Sequence, residues 1–513
     1  MRARRITTLV AGFALALATA VGVGAASFTL GPLVQVSGAS PLAGCTADQV
    51  AQQSGTVYVN SEVEPWVDVN PTNPSNIVGT WQQDRWSNGG SRGLVVGAST
   101  NGGASWTSVT NLKTTLCTGG TATNGGGYQR ATDPWVSFGP TGIVYQLSLS
   151  FNDVAPPFTT FDFDHALLAS RSTNGGLTWS DPVVVRRDTA PTVFNDKQSI
   201  TADPTNASYV YAIWDRLVFP GSERASVVAS FRTSSFSGPT WFARSTDAGL
   251  TWEPARQIWD PGNLDQTIGN QIVVLPDGTL VDIFTEFNNE NAKKHRGGFV
   301  RVLRSIDKGV TWSGPYDVGR LGAIGITDPE TGDPVRTGDI IPDIAVDPAS
   351  GRLYAVWQDA GVNGGQADGI AFSQSLDGGL TWSAPPIKVN QTPTGIPIGN
   401  QQAFTPSVDV SANGTVAVTY YDFRNNTTAT PLLTDYFVAH CHPTTVSACT
   451  LPANWGSEAR LTTQPFDMRQ APDAGGFFTG DYEGLANVGI NFATFFSQPH
   501  TGDPASIFFR LAG

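Results

Sequence analysis

Charge is scarce in this chain of 513 residues: only 14% are Asp, Glu, Lys or Arg. That excludes an array of long solvent-facing helices, which need charged faces. There are five histidines and four cysteines, and neither their spacing nor their neighbours suit a zinc site; His440 and His442 flank Cys441 with no second pair nearby. The acidic groups show no spaced Asp-x-Asp loop for calcium, so no metal or other cofactor is expected. The surplus that exists is negative, a net charge of −13, which argues against nucleic acid and anionic membranes as partners. Beyond residue 23 no apolar run is long enough to cross a bilayer.

What is abundant is glycine (56), proline (34) and tryptophan (14). One pattern, Ser-x-Asp/Asn-x-Gly-x-Ser/Thr-Trp, recurs five times, ending at Trp106, Trp179, Trp252, Trp312 and Trp382. Each copy reads as a hairpin turn. The Asp or Asn bonds the backbone two residues on, the Gly takes a conformation that a side chain would penalise, and the Trp packs beside the turn. A repeat of this length predicts a toroidal or solenoid array. Two strand-like runs precede each turn, for example Trp66–Val69 with Ile77–Trp81 and Asp343–Val346 with Leu353–Trp357. Seven such starts predict seven four-stranded blades; six blades plus an appended sheet is the alternative. The sixth unit replaces the turn with the Cys441–Cys449 segment and Trp455. The seventh lacks a strand, which we expect Thr56–Val59 to supply, because a ring must close to remove its edges.

The repeated turn is the Asp-box, and on it the chain resembles the sialidase superfamily of β-propellers. The resemblance covers Ser99 to Trp382 directly. It implies an all-β propeller and a glycoside hydrolase acting on a glycan or glycoconjugate; a non-catalytic glycan- or protein-binding propeller is the alternative. The Phe/Tyr-Arg-Ile-Pro motif of sialidases is absent.

Residues 1–26 read as a signal peptide, basic, then apolar, then small. A secreted, possibly cell-surface, monomeric protein follows, with no membrane span after cleavage. Residues 27–55 form an N-terminal extension and 56–513 the propeller. Disulfides Cys45–Cys117 and Cys441–Cys449 are expected.

Strand parity puts the turns on one face and the long connections on the other, where binding groups collect. The candidate catalytic residues there are Asp133, Asp196, Asp343, Tyr482 and Glu483, because crowded carboxylates can split into a protonated acid and an ionised partner. Arg85, Arg130, Arg216, Arg424, Lys197, Glu286 and Asp481 are candidate substrate contacts, the arginines because a guanidinium suits a planar carboxylate.

Overall fold

The computed structural model describes residues 28–155, 160–161, 164–219, 237–288, 297–443 and 445–513. The expected leader lies outside them. Among the described residues there are strands and short 3-10 turns and no α-helix, so no helix is long and apolar enough to cross a membrane.

Among the described residues, six antiparallel four-stranded meanders follow one another along the chain, and a seventh of three consecutive strands takes its fourth from the N-terminal part of the chain. Their first strands are Glu62–Val69, Arg130–Phe138, Val193–Ala202, Gln266–Val274, Asp343–Val346, Ala403–Val410 and Gly484–Val488. Each packs beside the first strand of the next meander, and Gly484–Val488 packs beside Glu62–Val69, so the series returns to its start. A single pairing, Ser91 with Ala131, also joins the first two meanders into one eight-stranded sheet.

Burial follows from this arrangement. The middle strands are sandwiched between neighbouring sheets and are covered on both faces: Ile77–Arg85, Ser91–Ser99, Leu353–Asp359 and Val416–Asp422 are buried at every position. Their central stretches, such as Leu94–Val96, Leu353–Trp357 and Val416–Val418, read as apolar and β-branched runs. Outer strands such as Val183–Asp188 and Ser457–Arg460 are partly exposed.

The five repeated turns connect third to fourth strands. In each, the Ser hydroxyl bonds the Asp or Asn side chain (2.8–2.9 Å). The same Ser Oγ accepts the Gly N–H (2.8–3.0 Å). The turns also clamp adjacent sheets. Trp106 of the first meander packs on Phe495 and Phe509 of the seventh, and Trp312 of the fourth packs on Phe242 of the third. In the sixth meander Trp455 takes this role: its indole donates to the Cys449 carbonyl (2.9 Å) and meets Phe372 edge-on at 4.9 Å.

Both disulfides are present, Cys45–Cys117 and Cys441–Cys449. The expected closing strand is corrected. Val34–Gln35, not Thr56–Val59, pairs with Asp503–Ala512 at the open edge of the seventh meander. The Thr56–Val59 stretch lies over the first meander instead, where Tyr58 N–H donates to the Arg85 carbonyl (2.9 Å). The reason is tethering: Cys45–Cys117 and the buried Asp48–Arg92 pair (2.7 Å) hold this part of the chain above the first meander.

Candidate active site at the hub

The first strands carry a repeated irregularity. Their register shifts between Val63 and Trp66, Thr132 and Trp135, Asp196 and Ser199, Ile268 and Gln271, and Phe404 and Ser407. At each shift one residue takes a left-handed backbone: Glu64 (φ 53°), Asp133 (50°), Lys197 (47°), Gly269 (74°) and Thr405 (49°). Only one is glycine, so four side chains bear a conformation that costs ~1–3 kcal/mol each and persists where surroundings enforce it, commonly at functional sites. Such bulges re-aim side chains. Here they direct three charged groups to one point.

That point is the Lys197 ammonium. It lies 2.6 Å from Asp133, 2.7 Å from Asp481 and 3.2 Å from Glu64. The four residues come from the first, second, third and seventh repeats. Arg336 completes the cluster by gripping Asp481 with two nitrogens, at 2.7 and 3.2 Å. It is delivered by a small sheet in which Pro334–Arg336 pairs with Ile326–Thr327 and with Phe477–Phe478, so two long connections meet over the hub.

Beside the cluster is a small cavity of about 30 Å³, bounded by Trp66, Trp135, Lys197, Gln198, Asp481 and Tyr482 among others. The two indoles stack at 3.5 Å and Tyr482 meets both edge-on. A second cavity, lined by Asp68, Asp343 and Asp409, continues past the indoles towards the face that carries the turns.

The carboxyls are driven apart. Burial, with Asp133 and Asp481 nearby, pushes Glu64 up to about 7 against the pull of Lys197. Burial and the Asp133 charge push Asp196 up to about 7. Burial would also raise Asp481, but Arg336 and Lys197 outweigh it and hold this group well below the usual range. Lys197 would be lowered by burial; Asp133, Asp481 and Glu64 hold it well above its ordinary value instead. One group that keeps its proton near neutrality therefore shares an ammonium with one that does not.

Of the residues expected from the sequence, Asp133, Lys197 and Asp481 meet directly, with Asp196 and Tyr482 alongside. Asp343 borders the cavity, but its oxygens accept the N–H groups of Ile344 (2.9 Å) and Val408 (2.8 Å), which ties the fifth meander to the sixth. Glu483 does not line the cavity. One oxygen accepts the Ser497 N–H (3.0 Å), the other has no partner, and burial drives it well above its usual value.

The expected arginine set does not converge. Arg85 is buried with one Nη on the Gly90 carbonyl (2.7 Å) and its face towards Phe478. Arg130 binds Gln53, Ser54, Asn88 and Gly89 and lies on Trp86, pinning the N-terminal segment. Arg216 pairs with Asp188 (2.9 Å) over Trp241, and Arg424 with Asp422 and Glu458 over Phe437. Glu286 is held within its own meander by Trp259 (2.9 Å) and Arg301. Arg336 went unrecognised in the sequence; its signal was its place in the long connection before Pro342.

No family model matches the chain, and no curated protein does. Among solved structures, a Hadza microbial sialidase is 16% identical over 75% of this chain and 66% of its own, with a TM-score of 0.45. An alpha-L-arabinanase of Penicillium chrysogenum is 12% identical, covering 76% of this chain and 94% of its own (TM-score 0.44). An ulvan lyase is 12% identical, covering 76% and 79% (TM-score 0.41). At these scores the likenesses assign no activity.

Proposed function

We propose that the chain is a secreted, sialidase-like propeller of seven blades, five of them bearing an Asp-box turn, that hydrolyses glycosidic bonds at its hub. The observation that carries the reading is the convergence of three carboxylates from separate blades on Lys197 beside a tryptophan-lined cavity. All three oxygens touch one ammonium, so no two are more than ~6 Å apart; that fits the roughly 5–5.5 Å of retaining glycosidases better than the ~6.5–9.5 Å of inverting ones. In this reading Glu64, pushed up to about 7, donates its proton to the glycosidic oxygen. Asp481 attacks the anomeric carbon as that bond breaks, forming a glycosyl ester. Glu64, now a carboxylate, takes a proton from water as the water's oxygen displaces Asp481. Lys197 holds both carboxyls in place, and Trp66 and Trp135 stack against the sugar. The leader-like residues 1–26 and the two disulfides support export.

The test is release of reducing sugar from a panel of polysaccharides and aryl glycosides. Asp481→Asn is expected to abolish release. Glu64→Gln is expected to lose more on poor leaving groups than on good ones, which need no proton. A second reading, a glycan-binding propeller without catalysis, is favoured by the internal pairing of Asp133 and Asp481. Binding of glycans with no product from any of them would establish it.

A further inference from the structure

Resting on the reading of Glu64 as an acid that must give up its proton, we infer that Arg85 is a positioning residue of the hub: the third cation, which balances Glu64 once that carboxyl is ionised. Three carboxyls, those of Glu64, Asp133 and Asp481, meet the Lys197 ammonium, and Arg336 adds a second cation through its grip on Asp481. With all three ionised, two cations leave one negative charge over. Arg85 supplies the missing charge from a short way off. It is 3% exposed, its Nη1 donates to the Gly90 carbonyl (2.7 Å), and its Nε has no partner. Among the described residues no ion pair includes it. A buried charge is costly unless opposite charge stands near. For Arg85 that charge is the hub's: burial, then Arg336, lowers it to about 10, while Glu64, Asp481 and Asp133 pull the other way.

The fold builds this arrangement. Arg85 and Gln82 share the strand Ile77–Arg85, and the Gln82 amide donates to the Glu64 carboxyl. The Glu64 N–H bonds the Thr479 carbonyl (3.1 Å). The ring just before it, Phe478, lies against the Arg85 guanidinium at 5.2 Å and against that of Arg336 at 4.5 Å. One ring thus seats both arginines beside the cluster. The groups that face Glu64 are Lys197, Arg85, Arg336, Asp133, Asp481, Tyr482 and Glu483; Arg85 is faced in addition by Arg130. Burial, with Asp133 and Asp481, raises Glu64, Lys197 and Arg85 lower it, and the balance lies at about 7. Removing the Arg85 charge tips that balance towards the protonated form. Glu64 then still has a proton to donate, but is reluctant to take the ionised state that activates water in the second half of the cycle.

The experiment is an NMR titration of the full chain, isotopically labelled at the glutamate carboxyl carbon. There are nine glutamates, and the resonance lost in Glu64→Gln identifies Glu64. In Arg85→Met the Glu64 midpoint is expected to rise by about one pH unit, a proton held about tenfold more tightly. Arg85→Gln, which keeps a donor for the Gly90 carbonyl, is expected to do the same and serves if the methionine variant does not fold. Arg85→Lys, which restores the charge, is expected to return most of the shift. A Glu64 midpoint unmoved in Arg85→Met and Arg85→Gln, or moved as far in Arg85→Lys, would overturn the inference. An unmoved midpoint together with lost binding of a sialyl-oligosaccharide would instead make Arg85 a substrate contact. Hydrolysis is scored separately. Midpoints that shift as stated in a chain that releases no sugar remove the catalytic reading and leave Arg85 as the counter-charge. Where sugar is released, the alkaline limb of the rate profile is expected to move with the Glu64 midpoint.

Discussion

Lys197 sits where three sheets' worth of negative charge meets, and its own backbone is strained to put it there. Removing one partner of a buried ion pair costs about 3–5 kcal/mol, because the other charge is left uncompensated. Lys197→Met is therefore expected to lower the urea midpoint by an amount of that order at neutral pH, and by less near pH 5, where the stranded carboxyls can protonate. The parent protein should show a related trend. Glu62 and Glu64, ordinarily at 4.5, are raised by burial to about 8 and about 7. A folded state that keeps a proton the unfolded chain has lost is stabilised below pH 4.5 and loses that contribution as pH rises through 7 to 8. Asp328, lowered to about 2 as Arg469 outweighs its burial, acts oppositely and withdraws its share as pH falls from 3.8. Urea midpoints between pH 4.5 and 8 should thus fall with rising pH; a rise would contradict the burial of these acids. Which charged residues converge was only half legible. Asp133, Lys197 and Asp481 could be named from their positions at strand starts. Arg216 and Arg424 looked alike in sequence, but each is taken up by an acid away from the hub cluster, Arg216 by Asp188 of the preceding meander and Arg424 by Asp422 of its own.

Among the elements, the repeated turns were the most readable, because each part of the motif does local work. Ser375 Oγ bonds Asp377 (2.8 Å) and accepts the Gly379 N–H (2.8 Å), so Ser375→Ala is expected to cost about 1 kcal/mol in chemical denaturation. Gly309 lies at φ 83°, and a Cβ there would come within 2.5 Å of Phe242 in the preceding meander. Gly309→Ala should cost more than the serine change, from backbone strain and overpacking together; an equal or smaller loss would mean that the turn does not wedge between sheets. The bulges were harder to see, since they depend on two residues opposing one across a ladder. A trace of them is present, however: Pro65, Pro134 and Pro406 each follow the left-handed residue. Proline has no N–H to leave unpaired at a bulge.

For the whole molecule, closure depends on pairing the two ends of the chain. Without Val34–Gln35 the strand Asp503–Ala512 becomes an open edge, and open edges recruit other chains. Removal of residues 28–36 is expected to lower the melting temperature and to produce light scattering on heating; an unaltered melt would place the closure elsewhere. The sequence suggested that such a strand must exist but not which segment supplies it, because that choice is set by tethers such as Arg130 with Gln53 and Ser54. Nor could it show that the connections around Val335 and Phe477 pair over the hub to deliver Arg336.

The most direct test of the hub as a site of chemistry is the structure of the chain soaked with an oligosaccharide that it binds. The account predicts a sugar ring against Trp66 and Trp135, with its anomeric carbon facing Asp481 and the glycosidic oxygen within hydrogen-bonding reach of Glu64. A sugar seated on the turn-bearing face, with the Lys197 cluster untouched, would contradict it.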